Sequence, residues 1–259
     1  MTEQKNQESL GEAAPDRRVI ALTGADARAF LKGLTTNDVK APGAGLSYGA
    51  LLTPQGKYLV DFLMWDDGTA IHLDVHESLA EALMRRLSMY RLRAAVEIAP
   101  TALKVRRGLG PLPEGAMADP RHPALGWRAY GQEEGTEPLI DWNAIRVANV
   151  IPESGIELIP DESYILEMGF ERLGGVDFRK GCYVGQEVTA RMKHKTELRK
   201  GLVALGMDGA AEPGTAVEAD GKPAGTLHTV AGDRALAYLR LDRAEGAQAL
   251  TAGAVRLVL

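Results

Sequence analysis

The texture of the chain changes near residue 200, and this change restricts the fold more than any other feature of the sequence. Beyond Gly201 the sequence breaks into short apolar alternations, GLVALGM, TAVEAD, AGTLHTV, ALAYLRL and VRLVL, divided by turn residues. Strands this short and this evenly spaced predict a small all-β module, a barrel, over residues 199–259. Ahead of it, strand and helix signals are mixed. The chain therefore reads as an α+β body over residues 17–198 followed by a C-terminal β-barrel. The polar opening, residues 1–16, carries no apolar period and is expected to be disordered.

Within the body, Arg17–Thr23 reads as a strand ended by Gly24, and residues 25–34 as a helix that Asp26 would cap. Residues 45–53 and 57–65 are apolar runs flanking Pro54-Gln55-Gly56, the composition of a β-hairpin. Residues 70–75 continue as a strand. Residues 77–92 place Leu79, Ala82, Leu83, Leu87 and Tyr90 at amphipathic-helix spacing. Two more strands are expected at 94–98 and 103–107. The Gly- and Pro-dense stretch 108–135 predicts loops. Helices are expected at 138–149, stopped by Pro152, and at 161–173, stopped by Gly174-Gly175.

Composition excludes several function classes. A net charge of −5 is incompatible with coating nucleic acid by bulk charge. No run approaches about 18 apolar residues, so no membrane-spanning helix is expected. The opening lacks a basic n-region followed by an apolar h-region, which points away from a secretory signal and to the cytoplasm. The single cysteine, Cys182, excludes an intramolecular disulfide and any four-thiolate zinc or iron–sulfur site within one chain. Three motif fragments fail their context. Gly45-Leu46-Ser47-Tyr48-Gly49 matches G-x-S-x-G but runs from loop into strand. Gly56-Lys57 lacks the Ser or Thr of a phosphate loop. His72 and His76 stand at a helical ligand spacing in a stretch that reads as strand.

The informative segment is residues 174–201, GGVDFRKGCYVGQEVTARMKHKTELRKG. It holds seven Lys or Arg (179, 180, 191, 193, 195, 199 and 200) against Glu187 and Glu197, so it is net positive in a net negative chain. Such asymmetry marks an anion-facing surface. Cys182 lies between Gly181 and Gly185, ahead of a helix whose buried face would be Val184, Val188 and Met192. A helix N-terminus and neighbouring cations, here Arg179 and Lys180, are conditions that favour thiolate. The residues therefore point to a reactive, reachable thiol.

The run Lys180-Gly181-Cys182-Tyr183-Val184-Gly185-Gln186-Glu187 resembles the K-G-C-Y-x-G-Q-E signature of the YgfZ family, folate-binding relatives of the glycine-cleavage T-protein. The similarity continues through Thr189-Ala190-Arg191-Met192. It is found earlier in residues 30–39 (FLKGLTTNDV) and 51–57 (LLTPQGK). This resemblance implies ferredoxin-like subdomains forming a T-protein-like body around a central folate channel. It also implies a role in assembling or repairing iron–sulfur clusters for [4Fe–4S] and radical enzymes, and through them in tRNA modification. Carried over residue by residue, it implies Cys182, Lys180 and Asp61 as the reactive groups. Tyr183, Gln186, Glu187, Arg191 and Arg146 would be contacts to tetrahydrofolate or a derivative. The partners implied are folate and iron–sulfur assembly proteins or client enzymes.

Two departures bear on the alternative, a tetrahydrofolate-dependent aminomethyltransferase. Val60 precedes Asp61, leaving one carboxylate where the T-protein relatives have two. Val150 stands where a Gly-Ile-Pro-Glu run would begin, which weakens the carry-over to Arg146 and Glu153. An RNA-binding reading of Arg191, Lys193, Lys195, Arg199 and Lys200 lacks interleaved aromatics on which bases would stack.

Overall fold

A computed structural model describes residues 11–194 and 197–259, which form two compact units. The first contains residues up to 55, 59–140 and 171–186; the second contains 56–58, 141–170 and 187–259. Of the expected disordered opening, residues 1–10 lie outside the described residues, as does Lys195 of the basic run. Residues 11–16 correct that expectation. They carry strand β1 (Glu12–Ala13), and the buried Glu12 carboxylate accepts the Leu139 and Ile140 amides at 2.6 and 2.7 Å.

The first unit is built on a five-stranded sheet. In chain order its strands are β2 (Arg17–Thr23), β3 (Ser47–Leu52), β4 (Tyr58–Asp66), β5 (Ile71–His76) and β6 (Glu97–Pro100); in space they run β3-β4-β5-β2-β6. The expected hairpin is present as β3 and β4. Side chains alternate across a sheet, so every second residue faces the same layer. Ile20 and Leu22, Val60, Phe62 and Met64, and Leu73 and Val75 face one layer. There they pack on α1 (Ala27–Lys32) and on Leu83 and Leu87 of α2 (Glu77–Arg91). Fully burying a side chain such as Phe62 contributes roughly 2–3 kcal/mol.

The opposite face is also covered. A four-stranded sheet adds β7 (Lys104–Gly108), β8 (Met117–Ala118) and β9 (Trp127–Gly131), ordered β1-β7-β9-β8. Tyr130 of β9 stacks on Trp65 of β4 with ring centroids 4.0 Å apart, and Trp65 stacks in turn on His72 at 4.6 Å. Cover on both faces explains why β4 is buried almost from end to end. Residues 108–135, expected as loops, thus supply two strands. Asp26 does not cap α1 through its side chain. Its backbone is already in the helical region, and its carboxylate instead accepts the Ala95 amide at 2.7 Å.

In the second unit, α3 (Trp142–Asn149) is shorter than the helix expected at 138–149 and begins behind Asp141, whose carboxylate accepts the Ala144 amide. The helix expected at 161–173 is a chain of turns. Asp161 and Gly169 have φ of 63° and 78°, and amides reach back by three residues (Gly169 to Leu166) or five (Phe170 to Ile165). The barrel closes as expected. Strands β10 (Lys200–Asp208), β11 (Ala216–Ala219), β12 (Lys222–Ala231), β13 (Arg234–Arg240), β14 (Leu250–Ala252) and β15 (Val255–Val258) run β10-β13-β12-β11-β14-β15 around the ring. Its interior is Leu205, Val217, Leu227, Ala237, Leu239 and Leu257. At Gly225 a side chain would collide with the Tyr238 carbonyl, so the close β12–β13 approach requires glycine. Among the described residues no helix is long and apolar enough to cross a membrane.

Candidate functional site

Cys182 is exposed on an irregular loop, four residues ahead of α4 (Gln186–Lys193). It is flanked by exposed Gly181 and by buried Tyr183, while Lys180 turns inward. The Lys180 side chain is only 1% exposed. Its ammonium donates to the Thr35 carbonyl at 2.5 Å and to the Asn37 carbonyl at 3.4 Å, and pairs with Asp38 at 2.9 Å. Burial pushes the Lys180 ammonium below its usual range, with Asp38 acting in the other direction. The ammonium also lies 5.4 Å from the Tyr183 ring centroid. Lys180 therefore fastens the loop to residues 35–38.

Asp61, on β4, is buried and accepts the Tyr48 hydroxyl at 3.0 Å. The Arg121 guanidinium sits 5.5 Å from the Tyr48 ring centroid and is held on Asp119 by bonds of 3.0 and 2.8 Å. Arg128 bridges Asp119 at 3.1 Å and Asp74 at 3.0 Å. Asp74, fully buried, also takes Arg17 at 2.7 Å and the Tyr130 hydroxyl at 2.9 Å. Burial alone would raise the Asp74 carboxyl, but the Arg17 and Arg128 charges outweigh it and hold it below the usual carboxylate range. At Asp119, Arg121 and then Arg128 likewise outweigh burial and hold the acid low. Burial and Asp74 push the Tyr130 phenol well above its ordinary range. This polar layer lies between the two sheets of the first unit and ends at Asp61.

The other expected site residues are distributed as follows. Gln186 opens α4 half-buried, and exposed Glu187 pairs with Arg191 one turn later at 2.8 Å. Arg146, in the second unit, is buried with its donors engaged. It reaches Glu157 and the Ile151 carbonyl at 3.0 and 3.1 Å, Asn143 at 3.0 Å and the Thr229 hydroxyl at 2.9 Å. It ties α3 and the 151–157 segment to the barrel. Of the expected helix face, Val184, Val188 and Met192 are half-buried and Thr189 is the buried residue. The fragments set aside in the sequence have structural roles: Ser47 is buried, His76 accepts the Ser78 amide at the start of α2, and His72 pairs with Asp67 at 2.7 Å.

The second unit also carries a cleft of about 990 Å³ whose lining includes Tyr164, Met168, Met192, Arg199, His228 and Tyr238. Tyr238 donates to Glu167 at 2.5 Å, and burial together with that carboxylate raises the phenol pKa. Lys200, from the basic run, lies 5.8 Å from the Tyr238 ring centroid. Among the described residues no group of three or more His, Cys, Asp or Glu side chains is placed to hold a metal ion.

Residues 199–259 match the family described as "CAF17, C-terminal beta-barrel domain". The whole chain has the fold of a glycine cleavage system aminomethyltransferase T from Bartonella henselae. The TM-score is 0.67 over 98% of this chain and 86% of that one, at 10% identity. The T-protein-like architecture expected from the sequence is thus the observed one. Two curated relatives, from Mus musculus and Homo sapiens, are each named iron-sulfur cluster assembly factor IBA57, mitochondrial. Each is 30% identical, over 89% of this chain and 77% of the relative. Both relatives are named mitochondrial, which overturns the cytoplasmic placement expected from the sequence. On that identity and coverage, the chain belongs to the IBA57 family of iron–sulfur cluster assembly factors.

Proposed function

We propose that this protein assists the assembly or repair of iron–sulfur clusters by presenting Cys182 to a cluster carried on a partner or client enzyme. The observation that carries this reading is the placement of Cys182: an exposed thiol on a loop whose neighbours, Lys180 and Tyr183, are buried. One thiol supplies one ligand, so the cluster is cargo completed by groups of the partner. The resemblance of residues 180–187 to the YgfZ signature supports the same role, with [4Fe–4S] and radical enzymes as clients and tRNA thiolation as a downstream effect.

We infer further that the first unit binds a reduced folate at Asp61. The donor set fits a pterin edge: a buried carboxylate oriented by a phenol accepts N–H groups and rejects analogues that lack them. When bound, the folate supplies a one-carbon carrier or a redox-sensitive ring. Asp61 orients it and Tyr48 holds Asp61. Arg146, with its donors engaged, acts in this reading as a brace of the second unit and not as a tail ligand. The fold likeness to an aminomethyltransferase supports one-carbon transfer as the competing reading.

The test is the activity of a [4Fe–4S] dehydratase in cells lacking the gene, complemented with wild type, Cys182→Ser or Asp61→Asn. Restoration by wild type and failure of Cys182→Ser support the cluster role. Full activity of Cys182→Ser with loss in Asp61→Asn would move the function to one-carbon chemistry.

A further inference from the structure

The four residues Thr35-Thr36-Asn37-Asp38 lie about 140 positions before the cysteine loop, yet each of them bonds to its approach. The Thr36 hydroxyl donates to the Gly175 carbonyl at 2.6 Å, and the Thr36 carbonyl accepts the Asp177 amide at 2.9 Å. The Asn37 side-chain amide donates twice, to the Gly174 carbonyl at 2.8 Å and to the Tyr48 carbonyl at 3.0 Å. The carbonyls of Thr35 and Asn37 and the Asp38 carboxylate receive the Lys180 ammonium. The turn is itself pinned to the sheet: the Thr36 amide donates to the Ala50 carbonyl, and the Ala50 amide donates to the Thr36 hydroxyl at 2.8 Å. No local hydrogen-bond ladder fixes residues 174–183, which are turns and irregular chain. These long-range bonds therefore tie the segment to the 35–38 turn.

We propose that Asn37 and Lys180 are positioning residues for Cys182: the 35–38 turn is the seat that holds the cysteine loop in one place on the first unit. The inference rests on the functional reading of Cys182 and adds the device that aims it. A buried ammonium with three acceptors is a costly group to keep unless each is present, and all three come from this turn. Asn37 adds a second link. Tyr48, whose carbonyl it holds, lies on β3 and orients Asp61 of β4 through its hydroxyl, so one side chain joins the cysteine loop to the residue that holds the buried acid.

The chain's single cysteine makes the test direct, because a nitroxide attached to Cys182 reports on this loop alone. Wild type is compared with Asn37→Asp and Lys180→Met. The first keeps the size and the oxygen that accepts the Asp38 amide but removes both donors; the second keeps the stem and removes the ammonium. Both are expected to change an ordered label spectrum to a mobile one with an unchanged far-UV dichroism spectrum. Each unlabelled variant is expected to restore the [4Fe–4S] dehydratase about tenfold less than wild type, a loss typical of misplaced reacting groups. If Lys180→Met does not fold, Asn37→Asp carries the test, since it removes two hydrogen bonds and no packed atoms. Label spectra identical to wild type, or full restoration despite a mobile label, overturn the assignment. If Cys182→Ser restores the enzyme, the functional reading of the thiol fails and the positioning role falls with it.

Discussion

Asp74→Asn is the substitution that most directly tests how the first unit is held together. The carboxylate is fully buried between two sheets and accepts from Arg17, Arg128 and Tyr130. Asparagine fills the same volume but carries no charge and turns a donor toward a guanidinium. Arg121 and Arg128 keep Asp119, while Arg17 loses its bond to the Asp74 carboxylate. A single lost hydrogen bond would cost about 1–3 kcal/mol. Removing one partner of a buried ion pair costs about 3–5 kcal/mol, so the lost carboxylate charge dominates. With a urea slope of roughly 2 kcal/mol per molar, the unfolding midpoint of the first unit should fall by about 2 M. Trp65 stacks on Tyr130 and gives a fluorescence signal for this unit. A control separates charge from shape. Adding Arg128→Met to Asp74→Asn removes one of the two guanidinium groups that Asp74 holds, so the double variant should lose less than the sum of the singles, by roughly 2 kcal/mol. A loss below about 1 kcal/mol for Asp74→Asn, or strict additivity of the pair, would mean that the buried charges do not hold the two sheets together.

The same acids predict the shape of acid unfolding. Asp74 and Asp119 titrate below the usual carboxylate range in the folded chain, so the unfolded chain binds more protons in acid. The stability they confer is complete above the ordinary carboxylate value of about 3.9 and is lost as pH falls below it. Urea midpoints measured between pH 7 and pH 3 should drop more steeply for wild type than for Asp74→Asn, and parallel curves would count against this. In the second unit, Arg146→Met strands the buried Glu157 beside Thr229 and should cost about 3–5 kcal/mol, read from urea unfolding at Trp142. Gly225→Ala forces a side chain onto the Tyr238 carbonyl and should destabilise the barrel by about 1–3 kcal/mol in the same assay, whereas alanine at the open Gly131 should not.

What the sequence disclosed follows from where a periodicity exists. The strand at Arg17–Thr23, α2 and the barrel each repeat an apolar residue at period 2 or near 3.6, the 45–65 hairpin shows two apolar runs about a Pro-Gln-Gly turn, and each formed where expected. The polar layer at Asp74 was hidden by the same rule. Residues 70–75 read as a strand, but the alternation of His72 and Asp74 with Ile71, Leu73 and Val75 does not show that the second sheet makes the polar face interior. That sheet takes β8 and β9 from the 108–135 stretch, whose Gly and Pro content masked two strands and with them Asp119, Arg128 and Tyr130.

The cysteine motif shows where adjacency misleads. Neighbours in sequence suggested that Lys180 would stand beside the thiol as its charge partner. In irregular chain neither helical nor strand periodicity fixes the direction of successive side chains, so adjacency does not define facing. The long-range acceptors decide instead. The Lys180 ammonium meets two carbonyls and a carboxylate at the buried 35–38 turn. Such an arrangement needs a turn about 140 residues upstream with its carbonyls directed inward, a property of the folded sheet that no local spacing encodes. The residues of the candidate site were therefore legible as a motif, while Thr36 and Asn37, which bond to its approach, do so only when β3 and the glycines at 174 and 175 are brought together.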